Sequence, residues 1–139
     1  MNTSTKPGGN DPAPRLDRAA IAKRAARDLI DGSTVNLGIG IPAMCADFLP
    51  DGVELLYHAE NGILGFKELS APGEGDPNLM DAGGSFPKLV PGMAFFDSVE
   101  SFSLIRGGHI DVTVLGALQV SRTGDLANWI IPKRGIGSI

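Results

Sequence analysis

A short apolar stretch, Thr34–Leu37, runs straight into Gly38-Ile39-Gly40-Ile41-Pro42. That order, strand then glycine turn then proline, leaves few options. Pro42 suits the first turn of a short helix through Phe48, because its missing N–H would have no intrahelical partner there. Around this junction, strand-like and helix-like segments alternate with short turns. The pattern predicts an α/β fold with a mostly parallel open sheet and flanking helices.

The flanking segments fit that frame. Asp17 is a good N-cap, followed by Ala20, Ile21, Ala25 and Leu29 at helical spacing, with Arg18, Lys23, Arg24, Arg27 and Asp28 on the polar side. Asp31-Gly32 ends this helix. Pro50-Asp51-Gly52 reads as a turn, Val53–Ala59 as a largely apolar strand, and Glu60-Asn61-Gly62 as the turn that closes it. Gly65–Gly84 lacks periodicity and reads as a surface loop, and Leu89-Val90 as a short apolar segment broken by Pro91-Gly92. Asp97-Ser98-Val99-Glu100 has capping-box spacing and opens a helix with Val99, Phe102 and Ile105 on one side, stopping at Gly107-Gly108. Ile110–Leu118 is apolar enough to predict a strand buried on both faces. Thr123-Gly124-Asp125 then turns the chain into Leu126–Ile131. Residues 1–15, rich in Gly and Pro with almost nothing apolar, read as a frayed arm.

Composition narrows the class. The 19 Gly and 10 Pro make up about a fifth of the 139 residues, against roughly 12% in average usage. With 42% hydrophobic residues the chain is not a disordered tract, so the excess marks sharp turns and close backbone approaches. The single cysteine, Cys45, excludes an internal disulfide framework and a multi-cysteine zinc site, and reads as a packed thiol. No apolar run reaches the ~18 residues of a membrane span, and the first residues lack a signal-peptide core. A net charge of −4 without a Lys/Arg cluster argues against nucleic acid. The expectation is a cytoplasmic domain.

Two places could carry chemistry. Gly38-x-Gly40-x-x-Ala43 satisfies a loose dinucleotide fingerprint, with Glu60 22 residues after Gly38, at the end of the next strand. The same residues also read as a tight turn without a ligand, and Pro42 removes an N–H that a pyrophosphate would use. Glu60 itself stands at the ligand edge of an α/β sheet, where a carboxylate can act as general base or acyl-accepting nucleophile. From position alone it also reads as a solvated turn residue. His58 and His109 lack metal-ligand spacing, so no metal site is expected; His109 reads as half-buried and hydrogen-bonded. Ser85 and Ser101 lack a nucleophile-elbow context.

Four segments resemble something more specific. Val35-Asn-Leu-Gly-Ile-Gly-Ile-Pro42, Ala59-Glu-Asn-Gly-Ile-Leu-Gly65, Phe102-Ser-Leu-Ile-Arg-Gly-Gly-His-Ile-Asp-Val-Thr113 and Gly124-Asp-Leu-Ala-Asn-Trp129 follow in that order. Together they resemble the B subunit of the class I 3-oxoacid CoA-transferases, a group that includes succinyl-CoA:acetoacetate and 3-oxoadipate enzymes. The likeness covers about residues 16–139 and displaces the dinucleotide reading, since the glycine turn is common to many α/β folds and the other segments are not.

The resemblance implies roles. Glu60 would attack an acyl-CoA thioester to give a mixed anhydride, and the released CoA thiolate would then form a glutamyl–CoA thioester. Asn36, Gly38 and Gly40 would line the pocket, and Asn61 and Gly62 would shape the glutamate turn. Coenzyme A would be a substrate, with no tightly bound cofactor, and the partner would be an A subunit in an A2B2 assembly. Two departures stand out. Asp81-Ala82-Gly83-Gly84 replaces the Asn-Ala-Gly-Lys of many members, and the lost lysine bears on acceptor choice. The chain also stops ahead of the family's Gly-Gly-Ala-Met-Asp stretch, whose glycine, by the same resemblance, would help form the oxyanion hole. The domain is therefore expected to be incomplete at its C-terminus, as a fragment or a truncated variant. A non-catalytic partner or CoA-binding module is the alternative expectation.

Overall fold

The computed structural model describes residues 15–130. The expected frayed arm, apart from Arg15, lies outside the described residues, as does everything after Ile130.

Helix α1, Arg18–Ala26, begins where expected: the Asp17 carboxylate accepts from the Ala20 N–H at 2.7 Å. Its buried face is carried by Ala22 and Ala26, while Ile21 is exposed, so the small residues make the close contact. The helix stops before Leu29, which packs into the core from the turn that follows. Strand β1, Thr34–Leu37, has the bounds read from sequence, with Val35 and Asn36 buried. After Pro42, residues Ala43–Phe48 form a 3₁₀ helix that packs on α1 and buries Cys45.

Strand β2 is shorter than expected, Leu56–Ala59. Residues 53–55 instead cross behind the Gly32 turn, where the Glu54 N–H donates to Asp31 Oδ1 and its carbonyl accepts from Gly32. The surface-loop expectation for Gly65–Gly84 is corrected at its start, where Gly65 and Phe66 belong to a strand. Ile63–Phe66 is strand β3, an antiparallel hairpin partner of β2, and Ala94–Phe95 forms β4 beside it. Asn61-Gly62 between two apolar runs is a strong hairpin signal, and the Gly65 break obscured it.

Helix α2, Ser98–Arg106, is capped by Asp97, whose carboxylate accepts from the Glu100 N–H at 2.9 Å. Its expected apolar side is not its buried side: Val99 and Phe102 are exposed, and Ser101 is fully buried. Strand β5 is only Val112–Val114 and lies at the edge of the sheet, correcting the expectation of a long strand buried on both faces. Gln119–Val120 (β6) and Leu126–Ala127 (β7) form a separate two-stranded hairpin.

The main sheet has the order β4-β3-β2-β1-β5. β2, β1 and β5 run parallel, and β3 and β4 extend the sheet antiparallel. This is an α/β architecture. The core gathers Ala22, Ala26, Leu29, Val35, Cys45, Leu55, Tyr57 and Phe66 around the middle strands. Because β1 and β2 are parallel, Gly38 and Glu60 emerge at the same edge, where open α/β sheets place their ligands.

Candidate active site

That edge opens into a cleft of about 520 Å³. The loop after β1 supplies Gly38, Ile39 and Gly40, the 3₁₀ helix supplies Ala43, Ala46 and Asp47, β2 supplies Tyr57, His58 and Ala59, and Glu60 follows directly after β2. Phe66–Leu69 and Asp81–Gly83 close the other walls. Most of the lining is apolar, which favours a dry site once a ligand fills it. Among the described residues its charged groups are Asp47, Glu60, Glu68, Asp81 and one cation, Lys67. Lys67 is already paired with Glu54 at 2.7 Å.

Glu60 is half-buried at the end of β2. Its Oε2 accepts from Asn36 Nδ2 at 3.1 Å. The Asn36 amide lies beneath the cleft rather than on its wall, and also donates to the His58 carbonyl at 3.1 Å. His58 Nδ1 stands 3.2 Å from the same amide nitrogen, and His58 Nε2 stands 2.9 Å from Ser101 Oγ. The His58 ring is stacked on Phe96, with centroids 6.2 Å apart. Burial lowers the pKa of His58 from its ordinary 6.5, and the charge of Glu60 acts more weakly the other way.

The turn that presents Glu60 depends on Gly62. Its φ is +113°, and a Cβ there would lie 1.8 Å from the Phe96 carbonyl oxygen. The close approach lets the Gly62 N–H reach the Ala59 carbonyl at 2.9 Å while its own carbonyl accepts from Phe96 N–H at 3.0 Å. Asn61 points away from the carboxylate and donates to the Met80 carbonyl at 2.7 Å, tying the glutamate turn to the loop that forms the far wall.

Gly38 and Gly40 are on the wall as expected, in different states. The Gly38 N–H donates to the Val114 carbonyl at 2.9 Å, so it belongs to the sheet and cannot cradle a phosphate. This removes the first amide a dinucleotide fingerprint would use. Gly40 has φ +89°, so the turn into the 3₁₀ helix is the conformation that favours glycine. Cys45 is a buried thiol whose pKa burial raises, opposite to an activated nucleophile. His109 is exposed, not half-buried, because the chain after Gly107-Gly108 runs along the surface before β5 begins. Among the described residues, no three of His, Cys, Asp and Glu group as metal ligands.

Sequence reasoning missed the roles of His58 and Ser101. A histidine inside the apolar run Val53–Ala59 was the available sign, since a buried polar side chain must find a partner. Ser101 gave none.

The family model for coenzyme A transferase matches residues 18–136. The chain belongs to the coenzyme A transferase family. Within it, the chain is 48% identical over 117 residues to the B subunit of a succinyl-CoA:3-ketoacid coenzyme A transferase of Helicobacter pylori, covering 84% of this chain and 56% of that protein. It is 50% identical over 115 residues to the B subunit of a 3-oxoadipate CoA-transferase of Pseudomonas putida, covering 83% and 54%. The chain thus spans about half the length of the curated relatives it matches. Among solved structures it is similar to an acyl-CoA transferase of Escherichia coli O157:H7 in a thioester complex with CoA. The TM-score is 0.57 at 19% identity, covering 94% of this chain and 22% of that one, a likeness of fold. Family membership replaces the dinucleotide reading of the glycine turn.

Proposed function

We propose that this chain is the nucleophile-bearing part of a CoA-transferase B subunit, moving CoA between an acyl-CoA such as succinyl-CoA and a 3-oxoacid such as acetoacetate or 3-oxoadipate. The observation that carries this reading is the Glu60 carboxylate at the cleft, with one oxygen held by the buried Asn36 amide.

A Glu60 oxygen attacks the thioester carbonyl, the C–S bond breaks, and CoA leaves as thiolate from a mixed anhydride. The thiolate then attacks the glutamyl carbonyl and expels the substrate's carboxylate, leaving CoA joined to Glu60. The acceptor acid reverses the two steps and takes the CoA. A carboxylate suits this role because it accepts the acyl group at nearly the energy of the substrate acid, so the thioester's activation is retained. The apolar walls serve the same end, since water would hydrolyse both intermediates.

The charge of the cleft bears on the partner. Among the described residues four carboxylates line the cleft with one lysine that is already paired, so this lining leaves the phosphates of CoA and a second substrate carboxylate largely unneutralised. An A subunit, in the A2B2 arrangement the resemblance implies, supplies that positive charge in this reading. The names of similarly close relatives differ in acceptor, so the choice between acetoacetate and 3-oxoadipate is to be assayed directly.

The half-reaction tests the proposal. With an A subunit and succinyl-CoA but no acceptor, the protein should release succinate and retain CoA covalently, and Glu60→Gln should do neither. Succinate release by Glu60→Gln at the native rate would refute it.

A further inference from the structure

We propose that His58 and Ser101 form a positioning relay. It holds the imidazole as the neutral tautomer protonated at Nε2, so that the Asn36 amide is fixed against Glu60. The purpose assigned to the relay rests on the reading of Glu60 as nucleophile.

The Asn36 amide sets the direction of every bond in the relay. Its Nδ2 carries two hydrogens and stands within 3.2 Å of three atoms: Glu60 Oε2, the His58 carbonyl oxygen and His58 Nδ1. The first two have no proton to give. The nitrogen of the amide must therefore face them, because the reversed amide would set its oxygen against two oxygens. A protonated Nδ1 would then meet the N–H groups of Asn36 head-on. The ring must present a lone pair at Nδ1, which places the proton of a neutral imidazole on Nε2, where Ser101 Oγ accepts it at 2.9 Å.

The surroundings hold this state. Asn36, His58 and Ser101 are all nearly or fully buried. The ring meets Asn36 from β1, Ser101 from α2 and Phe96 from the segment after β4, and Glu60 is the charged group that acts on it. Burial disfavours the imidazolium more strongly than Glu60 favours it. Ser101 is thus the anchor on α2, the imidazole transmits its position, and Asn36 delivers it to one carboxylate oxygen. Among the described residues Oε1 has no hydrogen-bond partner, so it is the oxygen free to attack.

Two measurements test the relay. The chain has two histidines, so ¹⁵N spectra of the rings in a His109→Gln background report His58 alone. The expected result at neutral pH is an unprotonated Nδ1 and a protonated Nε2; an Nδ1–H tautomer or an imidazolium overturns the proposal. Ser101→Ala, a near-isosteric change, should keep the Nε2–H tautomer but strip it of its acceptor, so that the ring loses its anchor on α2. It should also slow CoA-adduct formation at saturating acyl-CoA by about ten-fold with KM unchanged. Native adduct kinetics in Ser101→Ala overturn the relay whatever Glu60 does. An adduct that survives Glu60→Gln, with the Nε2–H tautomer observed, fails the nucleophile reading alone.

Discussion

Replacing Gly62 by alanine should damage both the fold and the site, by amounts the structure allows to be separated. The new Cβ would lie 1.8 Å from the Phe96 carbonyl oxygen and 2.9 Å from its carbonyl carbon, both rigid backbone atoms. The φ of +113° is strained for any L side chain. Strain of that kind costs about 1–3 kcal/mol. Losing the Phe96 N–H bond to the Gly62 carbonyl, when the segments part, adds about 1 kcal/mol. The expected loss is about 2–4 kcal/mol in urea unfolding followed by far-UV circular dichroism. Gly52→Ala is the matched control: φ is +80° and no atom lies within 4 Å of the added Cβ. Both variants restrict the unfolded chain alike, so their difference reports on the native state, where only the Gly62 side chain meets backbone. Relief of the clash moves Glu60's turn by more than an ångström, and misplacement on that scale costs ~10²-fold in rate. If Gly62→Ala is no less stable than Gly52→Ala and forms the CoA adduct at the native rate, the account of this turn is wrong.

Asn36→Ala removes the donor for both Glu60 Oε2 and the His58 carbonyl. It should lower stability by about 1–3 kcal/mol and slow adduct formation at least ten-fold, read by unfolding and by single-turnover kinetics. Asn61→Ala breaks the 2.7 Å tie to Met80; a loss of about 1 kcal/mol, faster proteolysis of the segment around residues 76–85 and a raised KM should accompany it. His58 gives stability a defined pH dependence. Its folded pKa lies below the ordinary 6.5, so the unfolded chain binds the proton first as pH falls. The contribution is complete above pH 6.5 and lost as pH drops from there toward the folded value. Unfolding midpoints measured from pH 7 to 5 should show that decline, and His58→Gln should flatten it.

The strand at Thr34–Leu37, the aspartate caps of both helices and the placement of Glu60 beside the glycine loop were legible in the sequence, because each rests on local chemistry. Pairing was not. Ile110–Leu118 is largely apolar, yet only three residues join the sheet, at its edge; composition does not say what covers a strand. α2 shows the same limit in reverse. Its apolar spacing points to Val99 and Phe102, while the face that packs is the one where Ser101 reaches His58. A hydroxyl buried for one hydrogen bond leaves no periodic trace. The Asn36–Glu60 contact joins β1 to the end of β2 through parallel pairing in which Asn36 faces His58, and that register is a property of the folded sheet.

Covalent attachment of CoA to Glu60 is the step on which the proposed chemistry stands. Incubation with acyl-CoA in the presence of an A subunit, followed by borohydride, should reduce the glutamyl thioester to an alcohol. Trypsin has no site between Arg27 and Lys67, so the modified residue falls in the peptide of residues 28–67, and fragmentation should place the change at Glu60. Reduction at another residue, or the same product from Glu60→Gln, would contradict the account.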